Sequence, residues 1–232
     1  MGLKSGIDYS TPQSREDLRY GKIMILCDSD VDGSHIKGLL MNFFHTYWDT
    51  LLQSGFLITM LTPIVKVNKG AVVRSFYNLG DYKAWKDATA DASSWTVKYY
   101  KGLGTSTATE FKEYFSDMRV LNYTWSGEGS SNAIDLAFNK KRADDRKKWL
   151  EGYDLYNTLD YANTTVAFED FVNRDLIHFS NYDNIRSIPN ICDGLKPSQR
   201  KILFSAFKRN LTKEIKVAQF AGYVSEHASY HH

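Results

Sequence analysis

The stretch KIMILCDSDVDGSH, residues 22–35, decides the fold of this 232-residue chain. The apolar run at 22–27 follows a glycine and predicts a short buried strand. The segment DSDVDG at 28–33, called the acidic turn below, comes next. Apolar residues then recur at three- and four-residue spacing over 36–52, which predicts a long amphipathic helix that Ser34 can cap. A strand, a turn and a helix open an α/β unit, and ligands bind at the carboxyl ends of such strands.

Further elements follow along the chain. Strands are predicted at 56–61, 64–67, 72–77 and 95–99, and helices at 81–86 and 108–118. This pattern predicts an α/β fold over residues 1–121. A polar boundary at 122–132, one charged helix at 135–150 and a connector at 152–165 make up the predicted stretch 122–167. Short helices at 168–180, at 197–209 and after Thr212 predict a mainly helical helix-turn-helix or winged-helix module over 168–232.

Composition excludes several classes of protein. Hydrophobic residues make up 43% and charged residues 24% of the chain, which is typical of a globular protein. The aromatic share of 14% argues against intrinsic disorder. No apolar run approaches the roughly 20 residues that span a bilayer. Two cysteines far apart in sequence indicate no disulfide framework and favour a reducing compartment.

Charge is distributed unevenly. The net charge is +2, but the segment from Lys196 to Lys216 has seven basic residues and one acidic residue. That segment therefore carries +6 and the remainder carries −4. Such asymmetry predicts a surface for a polyanion, most often nucleic acid, and the alternative is a solvated basic helix face.

The acidic turn has four interpretations. Spacing of two residues puts its three carboxylates on one face of an extended segment, where a hard cation such as Mg²⁺ would relieve their repulsion. An EF-hand is excluded, because its twelfth position is Leu39, inside the predicted helix. A haloacid-dehalogenase-type phosphatase expects Thr or Val where Asp32 stands. A toprim fold expects an apolar strand, D-x-D and a long helix, all of which are present. A solvated acidic turn without metal is the fourth interpretation.

Six blocks of the chain resemble, in the same order, eukaryotic-type DNA topoisomerase II. They are LRYGKIMILCDSDVDGSHIKGLLMNFFHTYW, TPIVKVNKG, VKYYKGLGTSTATEFKEYF, LAFNKKRADDRKKWL, RSIPNICDGLKPSQRKILFSAFKRN and KVAQFAGYVSEHASYHH. The resemblance covers about residues 16–232 and implies a Rossmann-like toprim domain followed by the N-terminal part of a winged-helix domain. The wording CDSDVD and a short connector indicate a divergent branch, such as that of a large DNA virus.

The resemblance implies an enzyme that uses ATP to pass one DNA duplex through a break in another. Each cut is a transesterification that links a tyrosine to the 5′ end, assisted by Mg²⁺ in a two-metal arrangement. It further implies a domain outside this sequence that uses ATP, duplex DNA as a partner, a homodimer and no membrane. The implied location is the nucleus for a cellular enzyme, and the host cytoplasm or a viral factory for a viral one.

Site residues are carried over by the same resemblance. It implies that Asp28 and Asp30 bind Mg²⁺ and that Asp32 is an outer or alternate ligand. The implied DNA-binding residues are Lys101, Gly102, Gly104, Arg146, Lys147, Lys196, Arg200, Lys201, Tyr230, His231 and His232. The glycines would let the backbone approach a phosphate, although KGLG is also typical of a tight turn. Contacts of the basic residues would go mostly to phosphates.

The sequence also departs from the family. It has no counterpart of the upstream glutamate in an EGDSA-type motif, of the nucleophilic tyrosine or of the arginine beside that tyrosine. We therefore predict no complete catalytic set here and no relaxation of supercoiled DNA by this chain alone. The alternatives are a DNA-binding module without chemistry and a Mg²⁺-dependent phosphatase.

Overall fold

The computed structural model describes residues 1–100, 102–161 and 163–230. Their contacts group into two compact units, Met1–Phe179 and Ser180–His232. Seven strands are described: β1 Ile23–Ile25, β2 Leu57–Met60, β3 Val65–Lys69, β4 Val72–Phe76, β5 Thr96–Tyr99, β6 Val120–Thr124 and β7 Thr165–Ala167. The described α-helices are α1 Val31–Gln53, α2 Leu79–Ala88, α3 Ala108–Ser116, α4 Glu128–Phe138, α5 Ala143–Glu151, α6 Phe168–Phe171, α7 Ile177–Ser187, α8 Pro197–Lys208 and α9 Val217–His227. The predicted division at 121 and 167 stays a prediction.

The main sheet has the strand order β1-β2-β6-β7. Strands β1 and β2 are parallel, as are β6 and β7, while β2 and β6 are antiparallel. The predicted α/β class with a parallel sheet flanked by helices is therefore confirmed, with one antiparallel pair at its centre. A second sheet, β4-β3-β5, is antiparallel and packs its own apolar cluster around Val65, Val67, Phe76 and Tyr82.

The core of the first unit lies between the main sheet and its helices. The long helix α1, whose backbone departs from helical geometry at Trp48, contributes Met41 and Phe44 before that residue and Leu51 and Leu52 after it, all at most 2% exposed. Phe168 and Phe171 of α6 are fully buried in the same cluster. Burial of such side chains stabilises the unit by about 2 kcal/mol each. The core therefore fixes the start of α1, and with it the acidic turn.

Strands β6 and β7 were not predicted from the sequence. The predicted polar boundary at 122–132 is wrong for residues 122–124, which belong to β6. Leu121 and Tyr123 of β6 are buried, and their alternation was the signal that the polar neighbours concealed. Strand β7 has only three residues, the first of which, Thr165, is the last residue of the predicted connector, and it pairs with β6 from Asn122 onward.

Two helix predictions also need correction. The single charged helix at 135–150 is wrong, because α4 ends at Phe138 and α5 begins at Ala143. Asn139 separates them: its backbone is extended, and its side-chain oxygen accepts a hydrogen bond from the N–H of Lys141. The helix predicted at 168–180 runs on to Ser187 and contains a π-helical turn, Val172–Leu176.

The second unit contains the end of α7 followed by α8 and α9. Pro197 occupies the first turn of α8, where its missing N–H costs no hydrogen bond. Asn210, with a φ of 50°, follows the end of α8. No helix among the described residues has both the length and the apolar character to cross a membrane.

Candidate metal and nucleic-acid site

Asp30 begins the long helix. Its backbone is extended, and its Oδ1 accepts a hydrogen bond from the N–H of Gly33 at 2.8 Å, which makes it the N-cap of α1. The prediction that Ser34 caps this helix is therefore wrong: the N-cap lies four residues earlier, and the helix begins at Val31. The partial positive charge at a helix N-terminus stabilises the Asp30 carboxylate.

Asp28 is held by the glycine-rich segment, KGLGTST at 101–107. Its Oδ1 accepts a hydrogen bond from the N–H of Leu103 at 2.6 Å, a contact between residues 75 apart in sequence. Nearby, the Ser29 hydroxyl lies 3.1 Å from both the carbonyl oxygen and the hydroxyl of Thr62. The acidic turn and the glycine-rich segment therefore meet at the carboxyl end of β1.

The glycines of this region differ in how much space the structure leaves for a side chain. A Cβ on Gly33 would lie 1.9 Å from the carbonyl oxygen of Asp28, so no other residue fits there without moving the backbone. A Cβ on Gly102 would lie 3.0 Å from the Oδ2 of Asp28, whereas one on Gly104 would meet no atom within 4 Å. Of the two candidate phosphate-contacting glycines, only Gly102 lies in close contact with the acidic turn.

The donor set suits a magnesium ion only in part. Among residues 1–100, 102–161 and 163–230, no three acidic, histidine or cysteine side chains are placed to hold a metal together. Asp28 and Asp30 each bind a backbone N–H, whereas Asp32 lies in the first turn of α1. Mg²⁺ usually takes only one or two protein carboxylates and completes its shell with waters and phosphate oxygens. Two carboxylates are therefore enough for such an ion, and Asp28 and Asp30 stay its predicted ligands, whereas the three predicted residues do not converge.

A buried ion pair anchors the helix behind the acidic turn. The Nζ of Lys37 lies 2.8 Å from the Oδ2 of Asp175, with both side chains about a tenth exposed. Ser34 donates to the other oxygen of Asp175 at 2.6 Å. Burial by itself would lower the pKa of Lys37, but the Asp175 carboxylate outweighs it and raises that pKa. Asp175 belongs to the π-helical turn, a feature that often marks functional sites.

A second ionic cluster lies beside the glycine-rich segment. The carboxylate of Glu110 accepts hydrogen bonds from Lys98 at 2.8 and 3.0 Å, from the hydroxyl of Tyr100 and from the N–H of Thr107 at 2.7 Å. Burial alone would raise the pKa of Glu110, but the Lys98 and Tyr100 hydrogen bonds lower it to about 2. The same carboxylate closes a capping box with Thr107 at the start of α3.

Acid should weaken this cluster. The pKa of Glu110 in the folded chain, about 2, lies below its ordinary value of 4.5, so its stabilisation is complete above pH 4.5 and is lost as the pH falls towards 2. Since solvent reaches Lys98, we expect a loss of only about 1–2 kcal/mol by pH 3. Urea unfolding at pH 6 and pH 3 measures it. The acid loss should be smaller in Glu110→Gln, and an equal loss in both proteins would contradict the prediction.

The candidate DNA-binding residues of the first unit have different environments. The guanidinium of Arg146 donates to the carbonyl oxygens of Leu136 at 3.1 Å and Asn139 at 2.6 Å, so it satisfies the last carbonyls of α4. Lys147 is exposed and pairs with Asp144 at 2.8 Å. The Lys147 side chain is therefore open to solvent, whereas the Arg146 guanidinium is engaged in hydrogen bonds within the fold.

The second unit brings several of its candidates together. Lys201 donates to the carbonyl oxygen of Ser229 at 3.1 Å, and its Nζ lies 6.0 Å from the centre of the Tyr230 ring. Arg200 pairs with Asp193 at 2.7 Å, and Lys196 is the N-cap residue of α8. The predicted site residues Lys101, His231 and His232 lie outside the described residues.

Three residues that organise the site were missed in the sequence. Lys37 lies among the apolar positions of α1, and a lysine buried there needs an acidic partner. That was the signal in the sequence. Asp175, its partner, is 138 residues away, so no local pattern links the two. Glu110 had a visible signal, because T-x-x-E at 107–110 is a capping box, but its lysine partners come from the second sheet.

Two family models match the chain. One, described as the C-terminal associated domain of TOPRIM, covers residues 60–184, and the other, that of a DNA gyrase/topoisomerase IV subunit, covers residues 186–232. The first alone spans more than half of the chain. Together with the strand, acidic turn and long helix at 23–53, these matches define an α/β protein of the toprim class.

Known proteins specify the family further. The chain is 50% identical to DNA topoisomerase 2 of Plasmodium falciparum over 233 residues, and 50% identical to DNA topoisomerase 2-alpha of Homo sapiens over 246 residues. A crystal structure of the Plasmodium falciparum topoisomerase II DNA-binding, cleavage and re-ligation domain matches 94% of this chain, with a TM-score of 0.81 and 51% identity, and the chain spans 30% of that structure. The chain belongs to the eukaryotic-type DNA topoisomerase II family, as its sequence blocks predicted. It spans 16% of the length of the two relatives.

Proposed function

We propose that this chain forms part of the DNA cleavage and religation core of an ATP-dependent type II DNA topoisomerase. The contact between Asp28 and Leu103 supports this proposal most directly, because it unites an acidic turn with a glycine-rich segment. Carboxylates and backbone N–H groups together can hold a cation and a phosphodiester side by side. The partner is duplex DNA. A homodimer, ATP use by another domain and, for a cellular enzyme, action in the nucleus complete the proposal.

We assign separate roles in metal binding and DNA binding to the predicted site residues. Asp28 and Asp30 hold the divalent cation, with Asp32 outside its immediate shell, and the cation when bound stabilises negative charge on the reacting phosphate. The glycine-rich segment, with Lys101 and the backbone of Gly102 and Gly104, receives the DNA backbone. None of the 15 tyrosines of this sequence is assigned as the nucleophile. The DNA contacts come from Lys147 in the first unit and from Lys196, Arg200, Lys201, Tyr230, His231 and His232 in the second. Arg146 stabilises the end of α4 in the first unit.

Metal binding tests the first part of the proposal. Titration of the 232-residue chain with Mn²⁺, followed by calorimetry, should give a weak binding signal that the double variant Asp28→Asn/Asp30→Asn loses. Asp32→Asn removes one negative charge from the same turn and should keep most of the signal, because Asp32 lies within α1. Equal losses in both proteins, or no signal in the parent chain, would contradict the assignment.

Salt dependence tests the DNA surface. If phosphate contacts dominate, binding of a short duplex should weaken steeply between 50 and 200 mM salt, and Lys201→Ala should reduce the logarithmic slope by about 1. Lys86→Ala removes an exposed lysine of α2 outside the proposed surface and should leave the slope unchanged. Fluorescence anisotropy at several salt concentrations measures both. A flat salt response in the parent chain would exclude a phosphate-dominated interface.

A further inference from the structure

Glu110 connects the two ends of the glycine-rich segment. Tyr100 immediately precedes this segment, and its hydroxyl donates to the Glu110 carboxylate. Thr107 ends the segment, and its backbone N–H donates to the same carboxylate at 2.7 Å. One side chain therefore fixes both ends of the segment, and its position sets where the backbone between them can run.

The charge of Glu110 is needed as well as its shape. Lys98 lies 2.8 Å from the carboxylate and Lys66 lies 3.8 Å from it. The side chains of Glu110 and Lys66 are only 15% and 13% exposed. Two ammonium groups from neighbouring strands thus share one largely buried carboxylate, and without its charge they would repel each other beside the segment. Glu113, which also pairs with Lys66, is 63% exposed and lies at 3.5 Å.

The middle of the glycine-rich segment contacts the Asp28 carboxylate of the acidic turn. Leu103 begins a single 3₁₀ turn, and its N–H donates to the Oδ1 of Asp28 at 2.6 Å. Gly102 approaches the other oxygen so closely that a Cβ there would lie 3.0 Å from it. The orientation of the Asp28 carboxylate therefore depends on where the segment holds these two residues.

We propose that Glu110 is a positioning residue: it holds the glycine-rich segment so that the N–H of Leu103 orients the carboxylate of Asp28. Its importance for catalysis rests on the proposed function, but the contact itself exists without metal. Glu110 acts on Asp28 indirectly, through Tyr100 and Thr107, which flank the turn that carries Leu103.

The test compares two matched substitutions in the metal-free, ¹⁵N-labelled 232-residue chain. Glu110→Gln keeps the size of the side chain and an oxygen for the N–H of Thr107, but it removes the charge. We expect hydrogen-exchange protection of the Leu103 amide to fall about fivefold. Glu113→Gln makes the same change on the exposed side of α3 and should leave Leu103 unchanged. Unchanged protection in Glu110→Gln, or an equal fall in both variants, would overturn the proposal.

Two further measurements distinguish the positioning role of Glu110 from a general loss of folding and from failure of the proposed function. Tyr100→Phe removes one donor to Glu110 and keeps the ring, so it should lower protection of Leu103 in the same direction but less. If Glu110→Gln unfolds, this variant decides, and an unchanged Leu103 amide would overturn the proposal. Mn²⁺ titration of the same samples addresses the proposed function separately. A parent chain that binds no Mn²⁺ would contradict that function, while the amide data still decide the positioning role.

Discussion

Replacing Asp175 with alanine should lower the free energy of unfolding of the first unit by about 3–5 kcal/mol. The substitution would leave the ammonium group of Lys37 buried without a counter-charge, and the hydroxyl of Ser34 with only its longer 3.3 Å hydrogen bond to the carbonyl oxygen of Asp30. Urea unfolding followed by tryptophan fluorescence measures this unit specifically, because all five tryptophans lie within residues 1–179.

Two controls test whether the loss of stability comes from burial of the Lys37–Asp175 ion pair. Asp144→Ala breaks the exposed pair with Lys147 and should change stability by less than about 0.5 kcal/mol. The double variant Lys37→Met/Asp175→Leu replaces both charges with apolar groups and should recover most of the loss, since no unpaired charge remains buried. A small loss in Asp175→Ala, or a double variant as unstable as the single one, would show that the pair does not anchor α1.

Local signals made the architecture of the first unit predictable. The apolar run at 22–27 and the spacing of apolar residues over 36–52 indicated β1 and α1, because burial on one face dictates such patterns. Of those apolar residues, Phe44, Leu51 and Leu52 are buried, whereas Ile36, Leu39, Phe43 and Tyr47 are exposed. The acidic turn was also visible as a candidate site. Its internal geometry was not visible, because Asp30 and Ser34 are both good caps and only the fold decides which one begins the helix.

Contacts between distant segments were the part that sequence could not supply. The pairing of Leu103 with Asp28 and of Lys37 with Asp175 joins residues 75 and 138 apart, and neither pair has a local pattern. Strand β6 was missed for a related reason. Its polar residue Asn122 obscured the alternation of Leu121 and Tyr123, and the pairing with β2 is what establishes the strand. Helix and strand periods are local, whereas a site is assembled by tertiary contacts.

Replacing Gly33 with alanine should destabilise the first unit by about 2 kcal/mol or more and weaken Mn²⁺ binding, although alanine is the better helix former by about 1 kcal/mol. The new Cβ would lie 1.9 Å from the backbone carbonyl oxygen of Asp28, so the acidic turn must move away from the start of α1. That movement would displace Asp28 relative to Asp30, the two carboxylates proposed to share the cation. Tryptophan fluorescence in urea and Mn²⁺ calorimetry measure the two effects.

Gly222→Ala is the matched control. Gly222 lies within α9, and a Cβ there would meet no atom within 4 Å, so helix propensity alone should act. We expect this substitution to stabilise the second unit by about 0.5–1 kcal/mol, measured by circular dichroism because the tryptophans lie in the first unit. Opposite signs for the two glycines would show that close approach of the Asp28 carbonyl, rather than helix propensity, requires glycine at position 33. If Gly33→Ala were stabilising as well, the acidic turn could not fold back against α1 as the structure has it.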